Sequence, residues 1–571
     1  MLKNIRPILL FFFLVNSYCQ PTAGGEVSVV VLPSLERVLQ DDVNVKGPQK
    51  AEVFCAKGEA ESFQIIVVNP TDSDVPNIDL QAGDWKYVGD KPVGTPVSQM
   101  FREHYVEVNR VSDLNWKRVT DWRQVDGCLG PGWYPDALIP FVDPYTGERI
   151  TKAKYLAAGQ NVAAGKSQGY WVDILVGRDV VPGIYTNEIA VFSSGKKIAG
   201  IPVNVTVWDF ELPRVHKLKT FFERLRYIHT YHNLSWNDLK RQIVTKRYLL
   251  MLQDNGIYLP LDRYPEVDKE TGEVRFTIDY IKALKDYSNE IHPSITWVIL
   301  QHHDFTRDPV KCARYLSGWE TFIKQNPWIP QPIVYWDDPK SKEDYLRILD
   351  YGKAIHSYAP DIKFFVTTRI KPEKPENPSL IGAVDIWVIL WPVGNLEDIR
   401  KRQEAGDEVW SYTCLSHNGV PNWLIDFPLL NYRIPAWFNW SMGLKGIVYW
   451  QTMAWSKYEG VKVDPWVDCR TYYAQGLIWN GEGSLLYPGA AAGIDGPVAS
   501  MRLKVFRDAM EDYDYFSLLA ELVGQDKVTE IVSKTASTFR IYSRDPAVYL
   551  KARALIAAEI VKHKKQDIES K

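Results

Sequence analysis

The sequence predicts a multidomain α and β protein with an N-terminal antiparallel β-sandwich, a central (β/α)8 TIM barrel and a C-terminal helical segment. Three observations support this prediction. Short alternating strands occur in the first third of the chain, apolar strands separated by helical stretches fill the middle, and helical patterns close it. A chain of 571 residues is long enough for roughly two to four domains.

Residues 1–19 are the first predicted element, a signal peptide. Lys3 and Arg6 precede an apolar run that is too short to span a bilayer, and small residues favour cleavage before Gln20. Lipid attachment at Cys19 is the alternative, although its neighbours are unfavourable for it. We therefore expect an exported protein, periplasmic or extracellular, without a membrane-spanning segment.

The β-sandwich is predicted over residues 20–213. The stretch IPVNVTVWDF (201–210) alternates valines with polar residues, and PGIYTNEIAVF (182–192) follows a Pro-Gly turn with a similar alternation. Short strands at regular spacing are typical of antiparallel sandwiches. Pro213 and the charged residues after it indicate a linker to the next domain.

The (β/α)8 barrel is predicted over residues 214–496, because near-continuous apolar strands alternate there with helical stretches. The eight strand candidates are LKTFFERL (218–225), IYLPLD (257–262), ITWVILQHH (295–303), PIVYW (332–336), IKFFVTT (362–368), AVDIWVILW (383–391), EVWSYTC (408–414) and GIVYWQT (446–452). The helix before the second candidate is predicted over 235–256, with Ser235 as its N-cap. Residues 497–571 are predicted to be helical from their apolar spacing.

Composition excludes some classes of function. A net charge of -3 gives no electrostatic reason to expect nucleic acid as a partner. The chain contains no G-x-x-x-x-G-K-[ST] and no H-E-x-x-H motif, so we expect no cofactor and no metal. Aromatic residues are 13% of the chain, which fits either a large core or stacking on sugar faces.

Five cysteines follow the predicted signal peptide: Cys55, Cys128, Cys312, Cys414 and Cys469. Their wide, irregular spacing is typical neither of a disulfide framework nor of a zinc site. We interpret them as isolated buried thiols, with one disulfide as the alternative.

The motif YWDDP contains the candidate catalytic pair, Asp337 and Asp338, directly after an apolar strand. Catalytic groups of barrels follow the carboxyl ends of strands. Pro339 favours an extended backbone at Asp338, which would direct the two carboxylates to different sides. Their proximity would raise one pKa and leave a proton-bearing acid beside an ionised partner. A solvated turn is the alternative interpretation.

Other predicted strand ends also carry polar or aromatic side chains that could bind a substrate. These residues are His302, Arg369, Trp391, Tyr412 and Trp450. Each alone is more often structural than functional, but together they predict a cleft lined by aromatic residues around a carboxylate pair. Such a cleft fits a glycosidase better than a protease or a phosphatase.

Six motifs resemble glycoside hydrolase family 123 and its large uncharacterised sister group: PGIYTNEIAV, YWDDP, VDIWV, VWSYTC, GIVYW and GSLLYPG. The resemblance covers nearly the whole mature chain and preserves motif order. It implies the three-part architecture predicted above. It also implies an exo-acting, retaining β-N-acetylgalactosaminidase, in which the 2-acetamido group of the substrate attacks the anomeric carbon.

By this resemblance, Asp337 falls on the Asp that orients the acetamido group, and Asp338 falls on the Glu that protonates the leaving oxygen. The Asp-Glu pair of the family is thus Asp-Asp in this chain. The shorter side chain holds its carboxyl roughly 1 to 1.5 Å further back on the same backbone. That shortfall predicts that Asp338→Glu raises activity. Tyr412 and Trp450 match family motifs at the barrel mouth.

We therefore expect a secreted glycoside hydrolase that acts on oligosaccharides or glycans with terminal β-linked 2-acetamido sugars, N-acetylgalactosamine above all. Two alternatives stay open. One is a glycosidase of different substrate and mechanism that uses Glu223, Asp262 or Asp304. The other is a non-catalytic carbohydrate-binding protein that has lost the acid/base Glu.

Overall fold

The computed structural model describes residues 25–89, 94–223, 225, 228–235, 238–300, 307–455 and 462–569. The predicted signal peptide lies outside these ranges, as do His302 and Asp304. Within them, no helix is both long enough and apolar enough to cross a membrane.

Two sheets form the N-terminal region. Their strands are β1 (Ser28–Pro33), β2 (Ala51–Lys57), β3 (Glu59–Asn69), β4 (Val75–Ala82), β5 (Lys86–Tyr87), β6 (Val97–Val108), β7 (Gly132–Pro140), β8 (Gln160–Val162), β9 (Lys166–Val176), β10 (Gly183–Ser193) and β11 (Lys196–Glu211). One sheet has the order β1-β3-β9-β6-β7, and the other has the order β2-β11-β10-β4-β8, with β5 paired to β10. The pairs are antiparallel except β2 with β11, which is parallel.

Alternation along the strands builds one core between these sheets. On β11, Val203 and Val205 are fully buried, whereas Asn204 between them keeps exposed surface. They share an apolar cluster with residues of the other sheet such as Ile65 and Val172. The predicted alternation of this strand is therefore confirmed.

The central region alternates strands and helices. Its elements are β12 (Lys219–Phe222), α1 (Ile228–Tyr231), α2 (Leu239–Gln253), β13 (Glu266–Val267), β14 (Val274–Arg275), α3 (Ile278–Ile291), β15 (Thr296–Trp297), α4 (Pro309–Gln325), β16 (Pro332–Asp337), α5 (Lys342–Tyr358), β17 (Lys363–Thr367), β18 (Ile386–Leu390), α6 (Leu396–Glu404), β19 (Glu408–Tyr412), α7 (Ile434–Ser441) and β20 (Gly446–Tyr449). Seven strands form a parallel sheet in the order β12-β20-β19-β18-β17-β16-β15.

This sheet curls on itself. Phe221 on β12, at one end of the strand order, lies 5.9 Å from Trp297 on β15, at the other end, measured between ring centroids. Phe221 also lies 5.4 Å from Phe365 on β17, in the middle of the order. Residues from all seven strands thus enclose one apolar cluster, which we call the concave core.

Seven of the eight predicted strands are present, and residues 257–262 are the exception, because they form no strand in the described part of the chain. Ile257 is nevertheless fully buried, and the Tyr258 N–H donates to Thr220 Oγ1 on β12 at 3.1 Å. Pro260 lacks the N–H that a ladder in this segment would need.

Helix starts follow local capping. Helix α2 begins at Leu239 rather than after Ser235, because the Asp238 side chain accepts from the Lys240 N–H and is the actual N-cap. Helix α5, which follows the candidate pair, begins with a capping box between Ser341 and Asp344.

The C-terminal region contains short strand pairs and three helices. These are β21 (Tyr472–Ala474), β22 (Leu477–Trp479), β23 (Leu486–Pro488), β24 (Pro497–Ala499), α8 (Met501–Val523), α9 (Gln525–Ser533) and α10 (Pro546–Glu569). Helix α8 is buried on all sides for most of its length, including its charged residues. Those charges meet opposite charges from both other regions, so α8 connects the N-terminal sheets with the curled sheet.

Candidate active site

The aspartate pair lies at the carboxyl end of β16. Ile333 and Tyr335 belong to the concave core, so strand alternation places Asp337 on the same face. Asp337 pairs with Thr367 on β17, and the Asp338 N–H donates to the Thr367 carbonyl at 3.2 Å. Both aspartates keep solvent-exposed surface. The pair is therefore at the open end of the curled sheet, where a substrate can reach it.

The backbone of Asp338 is not extended, contrary to the prediction from Pro339. Its φ is +39°, in the left-handed region. Such a conformation costs on the order of 1–3 kcal/mol for most residues, but Asp and Asn adopt it more readily than other residues with a side chain. The preference of a residue before proline is thus overridden here, and the aspartate side chain makes that possible.

Both carboxyl groups bind protons more strongly than ordinary aspartates. Burial of the carboxyl group raises the pKa of Asp337, although the Tyr335 hydroxyl and the charge of Lys340 oppose it. Burial also raises the pKa of Asp338, and the negative charge of Asp337 raises it further. Lys340 and Arg369 act in the opposite direction on Asp338. Loss of the proton from either carboxyl group is therefore less favourable than in an ordinary aspartate.

Tyr412 and Arg369 lie near this pair. Tyr412 ends β19, two residues after Trp410 of the concave core. Burial raises the pKa of Tyr412, and the charges of Cys414, Asp338 and Asp337 raise it further. Arg369 is exposed after β17, forms a 3.7 Å ion pair with Glu373, and acts electrostatically on Asp338.

Trp450 follows β20 and is half-buried. Its Nε1 donates to Glu482 Oε1 at 2.6 Å, and its ring meets that of Tyr472 nearly edge to face at 5.3 Å. Trp391, in contrast, is fully buried. Its ring packs 5.7 Å from Trp423 and 5.3 Å from Phe438, on the helix-covered side of the sheet.

The prediction of Trp391 as a substrate-binding residue therefore needs correction, because its ring has no exposed surface to offer. Trp387 and Ile389 of β18 face the same helices, and alternation carries Trp391 to that side. His302 falls outside the described residues.

Two of the alternative carboxylates are described. Glu223 follows β12 and comes two residues after Phe221 of the concave core. Burial raises the pKa of Tyr335, and the negative charges of Asp337 and Glu223 raise it further. Asp262 lies in the wall of a cavity of about 290 Å³, which Leu225, Arg241 and Tyr287 also line.

The sequence analysis did not name Glu482 and did not place Cys414 near the aspartate pair. Glu482 lies in GEGSLLYPG between Gly481 and Gly483, both with positive φ, and is fully buried. Burial raises its pKa to about 8. In the sequence, Glu482 is a single carboxylate within a glycine-rich loop, and this pattern does not predict that the side chain is buried.

The five cysteines within the described ranges are free thiols, as expected, and four of them are buried. Within the described ranges, no three or more His, Cys, Asp or Glu side chains are arranged to hold a metal ion.

Comparisons with known proteins identify the central region. Residues 309–519 match the family model described as glycoside hydrolase 123, catalytic domain. A search of curated proteins finds no match for this chain.

Among solved structures, the chain is similar to a family 123 glycoside hydrolase from Clostridium perfringens, studied for glycolipid glycan hydrolysis. The TM-score is 0.67 at 12% identity, over 95% of this chain and 100% of that one. A family 39 glycoside hydrolase from Bacteroides cellulosilyticus is similar at a TM-score of 0.32 and 12% identity, over 61% of this chain and 73% of that one.

The first of these similarities extends the shared fold across almost the whole chain, and the family match falls on the region that contains the aspartate pair. Residues 309–519 are therefore a catalytic domain of the glycoside hydrolase 123 type, and the protein is a glycoside hydrolase.

Proposed function

We propose that the protein is a retaining exo-glycosidase that removes terminal β-linked 2-acetamido sugars, N-acetylgalactosamine above all, by substrate-assisted catalysis. The observation that carries this proposal is the adjacent pair Asp337 and Asp338, both with a raised pKa, at the open carboxyl end of β16 inside the family 123 catalytic region. A general acid needs a carboxyl group that is still protonated near its working pH.

The chemistry divides between the two side chains. Ionised Asp337 accepts a hydrogen bond from the acetamido N–H of the bound sugar and directs the acetamido oxygen at the anomeric carbon. As that oxygen forms its bond to the carbon, the glycosidic bond breaks, and Asp338 transfers its proton to the leaving oxygen. Asp338 then removes a proton from the water that opens the resulting cyclic oxazolinium ion, which restores the acid and retains the configuration.

The negative charge of Asp337 supports this assignment of roles. It makes loss of the Asp338 proton less favourable, so Asp338 is the better donor of the two. The hydrogen bond with Tyr335 helps Asp337 to remain ionised. Glycolipid glycans are one natural substrate class to test, because the Clostridium perfringens relative was studied on them.

The finer architecture and the location belong to the same proposal. The two N-terminal sheets form a sandwich that ends near residue 213. The curled sheet is an (β/α)8 barrel extending to about residue 496, with residues 257–262 as its irregular eighth member. The contact of Tyr258 with Thr220 supports this position. The apolar leader at residues 1–19 supports export of the mature chain.

A panel of aryl β-glycosides tests the proposed function. The panel includes the 2-acetamido galactoside and glucoside beside plain hexosides, and each is tested with wild type and Asp338→Asn. Turnover confined to 2-acetamido sugars and lost in the variant is the expected result.

Two other outcomes would contradict the proposal. Turnover of plain hexosides that survives in Asp338→Asn favours a different mechanism, for which Glu223 on the concave face is the candidate. Sugar binding without any turnover favours a carbohydrate-binding protein.

A further inference from the structure

A buried carboxyl group lies behind the half-buried Trp450. Glu482 is fully buried, and its Oε1 accepts from Trp450 Nε1 at 2.6 Å. The Leu415 amide and the Tyr449 hydroxyl also stabilise the charged form of this carboxyl group. The main chain of Glu482 is itself fixed, because its carbonyl accepts from Thr471 Oγ1 at 2.8 Å. A fixed, buried carboxyl group that accepts from an indole N–H is well placed to orient that indole.

The indole is confined from two further sides. A Cβ at Gly483, whose φ is +65°, would lie 2.4 Å from Trp450 Cζ2, so only glycine allows this close approach of the backbone. The Tyr472 ring meets the Trp450 ring at 70°. Trp450 is therefore held by a hydrogen bond, by a main-chain segment and by an aromatic edge.

This cluster lies close to the aspartate pair, as the environment of Cys414 demonstrates. Burial raises the pKa of the Cys414 thiol, and the charges of Glu482, Asp337 and Asp338 raise it further. Cys414 is thus near all three carboxyl groups. Trp450 follows β20 at the same end of the sheet, where the ring of a tryptophan can stack on the apolar face of a sugar.

We propose that Glu482 is a positioning residue of the glycosidase site, which fixes the indole of Trp450 as a wall against which the terminal sugar binds. This inference rests on the proposed function. Glu482 is too deeply buried to contact the substrate itself, so it acts through Trp450.

The electrostatics of Glu482 are consistent with this role. Burial raises its pKa to about 8, whereas the hydrogen bond from Trp450, the Leu415 amide, Arg502 and Tyr449 oppose that shift. Arg502 is already bidentate with Asp136, at 2.7 and 2.8 Å. The Trp450 N–H thus favours the ionised carboxyl group, so loss of the proton from Glu482 strengthens this hydrogen bond and keeps the indole in place.

Two variants separate positioning from general stability. Glu482→Gln keeps an acceptor for Trp450 and cannot ionise, whereas Glu482→Met has a similar size and no oxygen. Each is assayed for kcat and KM on an aryl 2-acetamido-β-galactoside between pH 6 and 9.5, alone and combined with Trp450→Phe. The matched control is Glu103→Gln, a second fully buried glutamate with a pKa of about 8, which lies on β6 in the N-terminal region.

We expect Glu482→Met to raise KM about tenfold and to leave kcat within about threefold of the wild-type value. The reason is that the lost contact stabilises the bound substrate and the transition state equally. Glu482→Gln should keep KM near the wild-type value, because its amide oxygen still accepts from Trp450, and the control Glu103→Gln should do the same. Glu482→Met should add nothing to Trp450→Phe, because both changes remove the same hydrogen bond.

Two results would overturn the inference: Glu482→Gln as defective as Glu482→Met at pH 7, or fully additive effects of Glu482→Met and Trp450→Phe. If Glu482→Met does not fold, the comparison of Glu482→Gln with Trp450→Phe decides, and equal KM values for these two variants would overturn the inference. If wild type has no turnover, the proposed function fails. Calorimetric binding of N-acetylgalactosamine by the same variants then takes the place of KM, and an absence of binding by wild type also overturns the inference.

Discussion

Asp173 and the aspartate pair depart from the ordinary aspartate pKa in opposite directions. Asp173, on β9 against helix α8, is fully buried, yet the charges of Lys504 and Arg507 outweigh that burial and lower its pKa. At the open end of the curled sheet, burial raises the pKa of Asp337 and Asp338, and the nearby cations are exposed. Burial alone therefore does not decide protonation, and the placement of arginine and lysine does.

The α8 group forms a connected ion network. Arg433 is bidentate with Asp512, at 2.7 and 2.8 Å, and Lys504 lies 2.9 Å from Asp173. Every member of such a network needs its partner, because an unpaired buried charge is strongly unfavourable. At the sheet end, the effect of burial on the pKa of Asp337 and Asp338 exceeds that of the exposed cations nearby.

The largest effect that we expect is a loss of stability when one charge is removed from the α8 network. Asp173→Asn leaves Lys504 and Arg507 without their shared partner, and we expect the free energy of unfolding to fall by about 3–5 kcal/mol. Because the folded pKa of Asp173 is depressed, its stabilisation is present above the ordinary aspartate pKa and is lost as the pH falls towards the folded value.

Urea unfolding at several pH values measures both effects. The variant should lose part of the acid-induced destabilisation that wild type shows. If Asp173→Asn is as stable as wild type near pH 7, the ion pairs of Asp173 with Lys504 and Arg507 do not stabilise the fold. The exposed ion pair of Lys282 and Asp286 provides the control, since Asp286→Asn should change stability by less than about 1 kcal/mol.

At the sheet end, Asp338→Asn should lower kcat by about a hundredfold or more on a 2-acetamido-β-galactoside, because the amide cannot donate the acid proton. Stability should change little, since this carboxylate balances no buried cation. An active Asp338→Asn enzyme would refute the assignment of the acid. Circular dichroism of the variant confirms that it is folded.

Asp338→Glu should change kcat/KM by a smaller factor, about tenfold. The structure predicts a decrease, whereas the sequence predicts an increase. The family motif and the missing methylene favour higher activity. A φ of +39°, however, suits Asp better than Glu, so the longer residue would displace the loop as well as extend the carboxyl. We therefore expect a lower kcat/KM, and an increase would show that the loop adapts without cost.

The smallest effect concerns the exposed cation near the pair. Arg369 lowers the pKa of Asp338, so Arg369→Gln should raise it. Because the protonated acid is the active form, the alkaline limb of kcat/KM should move to higher pH by less than about one unit, since the arginine is exposed. Lys371→Gln, which removes a cation paired with Asp398, should leave the limb in place.

The sequence was sufficient to predict where an element lies along the chain when a local residue pattern determines that element. An apolar run followed by two aspartates placed the pair at the end of β16, because parallel strands and their loops leave a clear pattern. The left-handed backbone of Asp338 was not predictable, because the local rule for residues before proline favours the opposite. Tertiary hydrogen bonding with Thr367 and the tolerance of aspartate override that rule.

Side-chain environment was less predictable. Trp391 was assigned to the cleft because it follows a strand, but the register of β18 turns it towards the helices. Glu482 was passed over because its burial depends on segments that are distant along the chain, namely the ends of β19 and β20. Residues 257–262 have a strand-like composition, yet Pro260 interrupts the ladder.

The α8 network also has a consequence for biosynthesis. Arg507 is 334 residues after Asp173, and Arg502 is 366 residues after Asp136. The ribosome therefore completes the N-terminal sheets long before it makes the helix that neutralises their acidic residues. Until then, these carboxylates have no guanidinium partner, and the nascent chain cannot reach its final packing. A premature stop before residue 501 would thus leave a chain that contains Asp337 and Asp338 but cannot complete its folding.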